Sequence, residues 1–575
     1  MIWLSVILLP WLIALLMQER TYRVSRFLAP LAPLPALAFA IFGDSNASAS
    51  VDWLILGVHV GFGAVGQVFL FFTALLWSLA TLFAFDYMRK DERPWRFHFF
   101  FLLTMSGNFG LILAQDIITF YTCFALMTFA AYGLVIHDRT NEALRAGRIY
   151  LITALFGETL LLGGMFLVAS QSPSLLLADM QEAIAEAVHR DLMMFLIFAG
   201  FGVKAGVLLL HFWLPLAHPV APVPASAVLS GCMIKAGLLG WMQLLPLGHG
   251  SFPQWSTFLV VAGFSAAFLA VIAGLAQKSP KTNLAYSSIS QMGMMTVALG
   301  IGLATPEAWP PILVVLLIYT VNHALAKGAL FLGVGVAGAT GQSRWRQRLC
   351  LGGLMIAALA IAGAPWTGGA IAKHALKNAA NLAPEDWYPA LTWLLPLASM
   401  ATTLLLTRFL ILTWQQMKSS EKTSHPAPAL WISWLILLVA VLGSVTFAIG
   451  RYAIELERST ATLRSIWDSV WPVLLGVALL IALQRVLRKR KLWPIPAGDI
   501  VVLLEKAFHS LRQIGRALPV PGPSYWQINI VASVQRLAES ETKQDITNRV
   551  ESLLKNWTAA GVGLVVLILL LVLLL

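Results

Sequence analysis

Apolar runs recur along the whole chain, each separated from the next by a short polar stretch. They predict membrane-crossing helices near 2–17, 27–42, 64–87, 97–115, 117–137, 148–170, 192–212, 221–247, 255–277, 284–304, 310–337, 350–380, 388–414, 429–450, 469–485 and 558–575. A run of about 18 or more apolar residues is long enough to cross roughly 30 Å of hydrocarbon as a helix. The pattern is that of an all-α polytopic membrane protein. The opening stretch, "MIWLSVILLPWLIALLM", has no basic residue before its apolar run and no small-residue cleavage site, so it reads as a retained span.

Short basic loops follow nearly every odd span: "QERTYRVSR", "YMRKDERPWR", "HDRTNEALRAGR", "QKSPK", "GQSRWRQR" and "RVLRKRK". The loops between them, such as "GDSNASASVD", "ADMQEAIAEA" and "NLAPEDWYP", are neutral or acidic. Basic residues stay on the cytoplasmic side of a membrane. The alternation therefore predicts a chain in the cell (plasma or inner) membrane with its N-terminus outside. Residues 498–557 differ from the spans, being mixed in charge with apolar residues at helical spacing and "LPVPGPS" in the middle. They are expected to form a broken amphipathic segment lying along the cytoplasmic face, either a strap clamping a neighbour or a tail on its own subunit.

Composition agrees with the pattern: of 575 residues, 58% are hydrophobic and only 11% charged, against about 25% charged in soluble proteins. The net charge of +12 does not imply nucleic acid, because its basic residues lie in the short loops. Cys123, Cys232 and Cys350 stand in separate spans without metal spacing, so neither disulfides nor an iron–sulfur site is expected.

The informative residues are charges inside the apolar runs. Lys204, Lys235 and Lys327 fall near span centres, and Lys373 lies beyond an interruption, "GAPWTGG". His323 precedes Lys327 by four residues, which places both on one helical face. Glu158, in "LFGETLLL", is the carboxylate placed well inside a span. An ionisable side chain at membrane depth needs a hydrated cavity or a partner. Alone, each could snorkel or make a structural hydrogen bond; together they suggest a proton relay. Desolvation favours a neutral amine and a nearby acid favours the ammonium, so such lysines gain and lose protons as their neighbours change. Pro215 and Pro365 are expected to break two spans, with Lys204 before one break and Lys373 after the other, as an inverted repeat would place them.

Other motifs carry less. "GFGAVG" and "GVGVAG" match a dinucleotide-binding glycine pattern, but neither is expected between a strand and a helix, and close helix packing accounts for them. There is no Walker motif and no metal or haem constellation, and with few buried carboxylates protons are favoured over sodium.

Four ordered segments carry a family likeness: "VKAGVLLLHFWLPLAHPVAPVPASAVLSGCMIKAG", "LAYSSISQMG", "NHALAKGALFL" and "IAGAPWTGGAIAK". Over roughly residues 60–415 the chain resembles the antiporter-like proton-translocating subunits of respiratory complex I, Mrp-type cation/proton antiporters and membrane-bound hydrogenases. The resemblance implies a core of about fourteen helices with two inverted five-helix repeats, each containing a broken helix and a half-channel. It assigns Lys204 to the first broken helix, Lys235 to the connection, His323 and Lys327 to the central axis, and Lys373 to the exit side. The late amphipathic segment followed by one more span is similar to the most distal complex I subunit. Two positions depart from the family pattern. Ala125 stands where the family has a glutamate, and Leu216 where it has an aspartate. Glu158 is the candidate substitute for the missing acid.

The expected organisation is N-terminal helices over 1–96, a first repeat over 97–247, a second over 255–414, further helices over 429–485, the lateral segment over 486–557 and a last helix over 558–575. The expected function is proton conduction as a membrane subunit of a multisubunit complex related to NADH:quinone oxidoreductase, with no cofactor, metal or redox centre in this chain. The alternatives are a subunit of a Mrp-type antiporter or of an ion-coupled inorganic-carbon uptake system, and a non-conducting scaffold. An intramembrane transferase is disfavoured because no interfacial loop clusters carboxylates for a metal and a diphosphate.

Overall fold

Proline and glycine decide where the apolar sequence divides into helices. The computed structural model describes residues 2–44, 46–51, 57–384, 387–419, 428–452, 463–487, 495–498 and 501–502. The helices of the N-terminal part are α1 (Ile2–Leu16), α2 (Tyr22–Ser25), α3 (Leu34–Phe42), α4 (Ala64–Tyr87) and α5 (Pro94–Leu113). Next come α6 (Ile117–Val135), α7 (Asn141–Ala169), α8 (Leu177–Glu186), α9 (Arg190–Ala205) and α10 (Trp213–Val220). They are followed by α11 (Val223–Val228), α12 (Ile234–Leu244), α13 (Pro253–Leu275), α14 (Pro280–Gly302) and α15 (Trp309–Ala339). The rest are α16 (Arg344–Ala362), α17 (Gly368–Asn378), α18 (Tyr388–Ser419), α19 (Pro428–Tyr452) and a final described helix, α20 (Leu463–Leu487).

Eleven described helices are long and apolar enough to cross a membrane. The fold is therefore a helical multi-pass one. α14 is long enough to cross but is not among the eleven, because "YSSISQ" makes it polar. Nearly every one of its residues is buried, packed between α13, α15, α10 and α18. A helix enclosed by protein on all sides can carry hydroxyls that a lipid-facing one could not.

Several expectations need correction. The span near 27–42 is not one helix: prolines at 30, 33 and 35 leave a 3-10 turn and then α3, only nine residues long. Strands β1 (Ser48–Val51) and β2 (Val58–Gly61) pair antiparallel in the stretch between the expected spans 27–42 and 64–87. β2 therefore does place the "GFGAVG" glycines between a strand and a helix, contrary to expectation. The partner is a short antiparallel hairpin, whereas dinucleotide binding uses a parallel βαβ unit. Gly66 instead packs so tightly that a Cβ there would lie 2.7 Å from Phe62 Cβ. "ADMQEAIAEA" forms most of the amphipathic helix α8, which buries Leu177, Met180 and Ile184.

The two expected breaks exist, one of them displaced. The run near 192–212 stops at Ala205, ahead of Pro215, which lies in the first turn of α10. Gly206 ends α9 with φ +77°, and Leu209 three residues later has φ +74°. The run near 350–380 stops at Ala362, where Gly363 has φ +85° and Trp366, again three residues on, has φ +60°. A left-handed residue after a helix favours glycine because it lacks Cβ. Both breaks thus share one backbone device.

The lateral segment and the final span fall outside the described residues, apart from 486–487, 495–498 and 501–502. At its start, the Ile495 carbonyl accepts a hydrogen bond from Gln277 Nε2 at 3.1 Å. Gly498 lies against Leu216, where a Cβ would come within 2.8 Å of Leu216 Cδ1.

Candidate functional site

The residues singled out from sequence fall into three groups, each beside an irregularity in a helix. The first is built on α9. Lys204 lies in its last turn, 4% exposed, and its Nζ donates to the Tyr150 hydroxyl at 3.2 Å. That hydroxyl in turn donates to the Thr128 carbonyl at 2.7 Å. The rings of Phe124, Tyr150 and Trp213 surround the ammonium, with Nζ 5.7, 5.4 and 6.0 Å from their centroids. An aromatic cage stabilises a cation through ring quadrupoles without binding it to a fixed anion. Trp213 Nε1 donates to the Val203 carbonyl at 2.7 Å, which latches the start of α10 onto the end of α9.

Glu158 lines the same small cavity as Lys204. It is 5% exposed, and neither carboxylate oxygen makes an aligned hydrogen bond. Its electrostatic neighbours are Lys204 and Thr128, and Tyr121 feels its charge. Tyr121 and Thr128 are four residues before and three after Ala125, and so share a face of α6 with it. The acid of α7 therefore looks toward the side of α6 that carries Ala125.

The second group is central. A π-turn at Leu229–Met233 separates α11 from α12, and Lys235 follows it. Its Nζ donates to the Ser230 carbonyl at 2.5 Å. The Ser230 and Ser288 hydroxyls lie 2.8 Å apart, and Ser288 Oγ donates to the Leu284 carbonyl at 3.0 Å. Lys327 Nζ donates to that same carbonyl at 3.0 Å. A line of polar groups thus runs from Lys235 to Lys327 across α14. His323 is 1% exposed with no hydrogen bond at either ring nitrogen, and lies within electrostatic reach of Lys235 and Lys327. Four residues earlier, Tyr319 donates to Gln291 Oε1 at 2.8 Å, and Gln291 Nε2 to Thr402 Oγ1 at 2.9 Å. This second line reaches toward α18 and the third group.

The third group follows the second break. Lys373 on α17 donates to the Ala362 carbonyl, the last of α16, at 2.7 Å. A helix C-terminus carries partial negative charge and suits an ammonium. Lys373 is only partly buried, since it lines an open cleft. Gly369 allows this approach, since a Cβ there would meet the Ala360 oxygen at 1.8 Å, and Gly368 allows a close contact with α19, where a Cβ would meet Ser444 Oγ at 2.6 Å.

The structure joins Lys204 to Glu158, and Lys235 to His323 and Lys327, while Lys373 stands apart. Sequence reading missed Tyr150, Ser230, Ser288 and His218. His218 is fully buried, stacked 4.5 Å from Phe331 and within electrostatic reach of Lys281, Lys327 and Lys235. Ser288 had a signal, the polar run "YSSISQ" inside an otherwise apolar stretch, whereas Ser230 had none. His218 was quoted within a signature segment but carried no pattern of its own. Asp91, His137 and Asp138 approach closely enough to hold an ion, but they lie near a helix end, apart from these groups.

Comparisons with known proteins show what the chain is similar to. Residues 114–388 match the transmembrane family model described as NADH:quinone oxidoreductase/Mrp antiporter. Hydrogenase-4 component B of Escherichia coli (strain K12) is 32% identical over 272 residues, 46% of this chain and 40% of that protein. The Na(+)/H(+) antiporter subunit A1 of Staphylococcus aureus (strain JH9) is 28% identical over 424 residues, 68% of this chain and 52% of that one. The chain thus spans about half the length of the curated relatives it matches. Among solved structures, a chain of the Mrp complex from a Dietzia species superposes with a TM-score of 0.76 at 20% identity, covering 93% of this chain and 62% of that one. A chain of the membrane-bound sulfane sulfur reductase, an archaeal respiratory membrane complex, superposes with a TM-score of 0.63 at 20% identity, covering 83% and 98%. At these identities the superpositions show a shared fold.

Proposed function

We propose, from the match of residues 114–388 to the NADH:quinone oxidoreductase/Mrp antiporter family model, that the chain moves protons through Lys204, Lys235, His323, Lys327 and Lys373, with Glu158 as the acid partner of Lys204. One observation carries this reading. Each of the four lysines is held by a neutral oxygen: the Tyr150 hydroxyl or the carbonyl of Ser230, Leu284 or Ala362. Among the described residues none has a carboxylate within ion-pair distance. A neutral acceptor holds either an ammonium or an amine, so a proton can leave without stranding a buried counter-charge. A lysine fixed in a buried ion pair would resist that loss. Transfer between the groups needs water, because a carbonyl accepts hydrogen bonds but passes on no proton.

The chain acts as one membrane subunit among several, with its N-terminus outside and its basic loops in the cytoplasm of the plasma or inner membrane. The relatives named as a hydrogenase component, an antiporter subunit and members of membrane complexes support the multisubunit reading. The likeness to an Na(+)/H(+) antiporter subunit favours a second reading, in which proton movement is exchanged against sodium.

Flux into vesicles holding the native complex tests both. Lys204→Ala and Lys327→Ala should each suppress proton movement while leaving assembly intact. Arginine at either position should also fail, because it does not release its proton near neutral pH. Full transport by both alanine variants sinks the relay and leaves a scaffold. Dependence of flux on sodium would select the antiporter reading.

A further inference from the structure

In the second half, α17 leaves a cleft against α18 and α20. Lys373, His374, Lys377, Ser399, Asp468 and Ser469 line it. One turn beyond Lys373, Lys377 Nζ bonds Asp468 Oδ2 at 2.6 Å, and the two side chains remain 36% and 30% exposed. His374 stands between the lysines in sequence and lies within electrostatic reach of Lys377 and Asp468. It also borders a second cavity, with Trp366 of the break and Ser465 of α20. Asp468 lies in the first turns of α20, so a carboxylate outside the matched domain of 114–388 faces the last lysine group of that domain.

We propose that this cleft is the path between Lys373 and the water at one membrane face, with Asp468 as the terminal proton carrier and the Lys377–Asp468 ion pair as the gate. The inference rests on the relay reading. While the pair is closed, the Lys377 ammonium occupies the carboxylate. When it opens, the N–H bond at Lys373 breaks as an O–H bond forms at Asp468, directly through water or by way of His374. The lysine is left as a neutral amine and Asp468 as a neutral acid. Asp468 then gives its proton to bulk water, and its carboxylate returns to Lys377. No electrons change hands, and every step is reversible. At 36% and 30% exposed, the pair is not locked by full burial, and a partly exposed ion pair is weak enough to open.

The test uses the full chain in its native complex in vesicles, with Cys123, Cys232 and Cys350 replaced by alanine. Ser469→Cys is then labelled with a negatively charged, membrane-impermeant thiol reagent, and flux is compared before and after labelling. Labelling should occur from one side only and should block flux. Labelling that leaves flux intact, or a cysteine the reagent never reaches, overturns the path. Asp468→Asn should lower flux by about a hundredfold, the low end of what a positioned proton carrier contributes, while Asp468→Glu retains most of it. Lys377→Gln should keep Asp468 working but raise passive proton leak. If the asparagine and glutamine variants only reduce the amount of complex, with unchanged flux per complex, the pair is structural and the gate falls. Failure of the relay itself reads differently: Lys373→Ala would then transport normally although labelling at position 469 still occurs.

Discussion

Glu158 has its carboxylate in a small cavity with no aligned hydrogen-bond donor, beside a lysine held by a phenol. A buried acid so placed exchanges charge with its neighbour more readily than one fixed by several donors. Glu158→Gln should therefore impair proton flux about as severely as Lys204→Ala. Adding Ala125→Glu should restore part of the loss, because position 125 shares its helix face with two of Glu158's neighbours. No rescue, together with normal flux in the glutamine variant, would remove Glu158 from the path. Ser288 offers a milder test. Ser288→Ala breaks the line between Lys235 and Lys327 at its hydroxyl and should cost about 1 kcal/mol of stability, as for one net hydrogen bond. Flux should slow rather than stop, since both ammonium groups keep their carbonyl acceptors. Thermal unfolding in detergent reads the first effect and vesicle flux the second.

At the scale of elements, the two broken helices share a left-handed glycine and a second left-handed residue three positions on. They place their lysines differently: Lys204 ends one helix, whereas Lys373 begins the second turn of another and reaches back to the carbonyl end of the first piece. The second arrangement depends on close approach. Gly369→Ala would put a methyl 1.8 Å from the Ala360 oxygen and push α17 off α16. The expected cost is about 1–3 kcal/mol, typical of overpacking, with Lys373 losing its acceptor and flux falling in parallel. An alanine variant with unchanged melting and unchanged flux would show that the contact is not needed.

In the whole molecule, polar groups gather inward and lipid-like surface outward. α14 and α15 are almost wholly buried, whereas α20 exposes Trp467, Leu474 and Leu475. Leu216 is covered by Gly498 at the start of the lateral segment, where a charge would be desolvated. If residues 498–557 clamp a neighbouring subunit, deleting the chain from Asp499 onward should loosen the complex while the spans still insert. Co-purification in mild detergent checks this, and an intact truncated complex would leave the segment a tail on its own subunit.

Apolar run length alone determined that the chain is a helical multi-pass protein, because burying twenty apolar residues in lipid leaves the backbone few other solutions. Isolated charges within those runs marked Lys204, Lys235, His323, Lys327, Lys373 and Glu158, since an ionisable group at that depth has to be accommodated by something. What accommodates each was decided by tertiary structure. The partners of Lys204 and Lys327 lie on other helices, 54 and 43 residues away. Asp468 lies 91 residues from Lys377, in a helix whose sequence gives no sign of its neighbour. Even the position of the first break escaped the sequence. Proline signals that a helix cannot continue through it, but it is also tolerated in a first turn. Pro215 occupies such a turn, so the chain broke at Gly206, where a left-handed residue could be placed without strain.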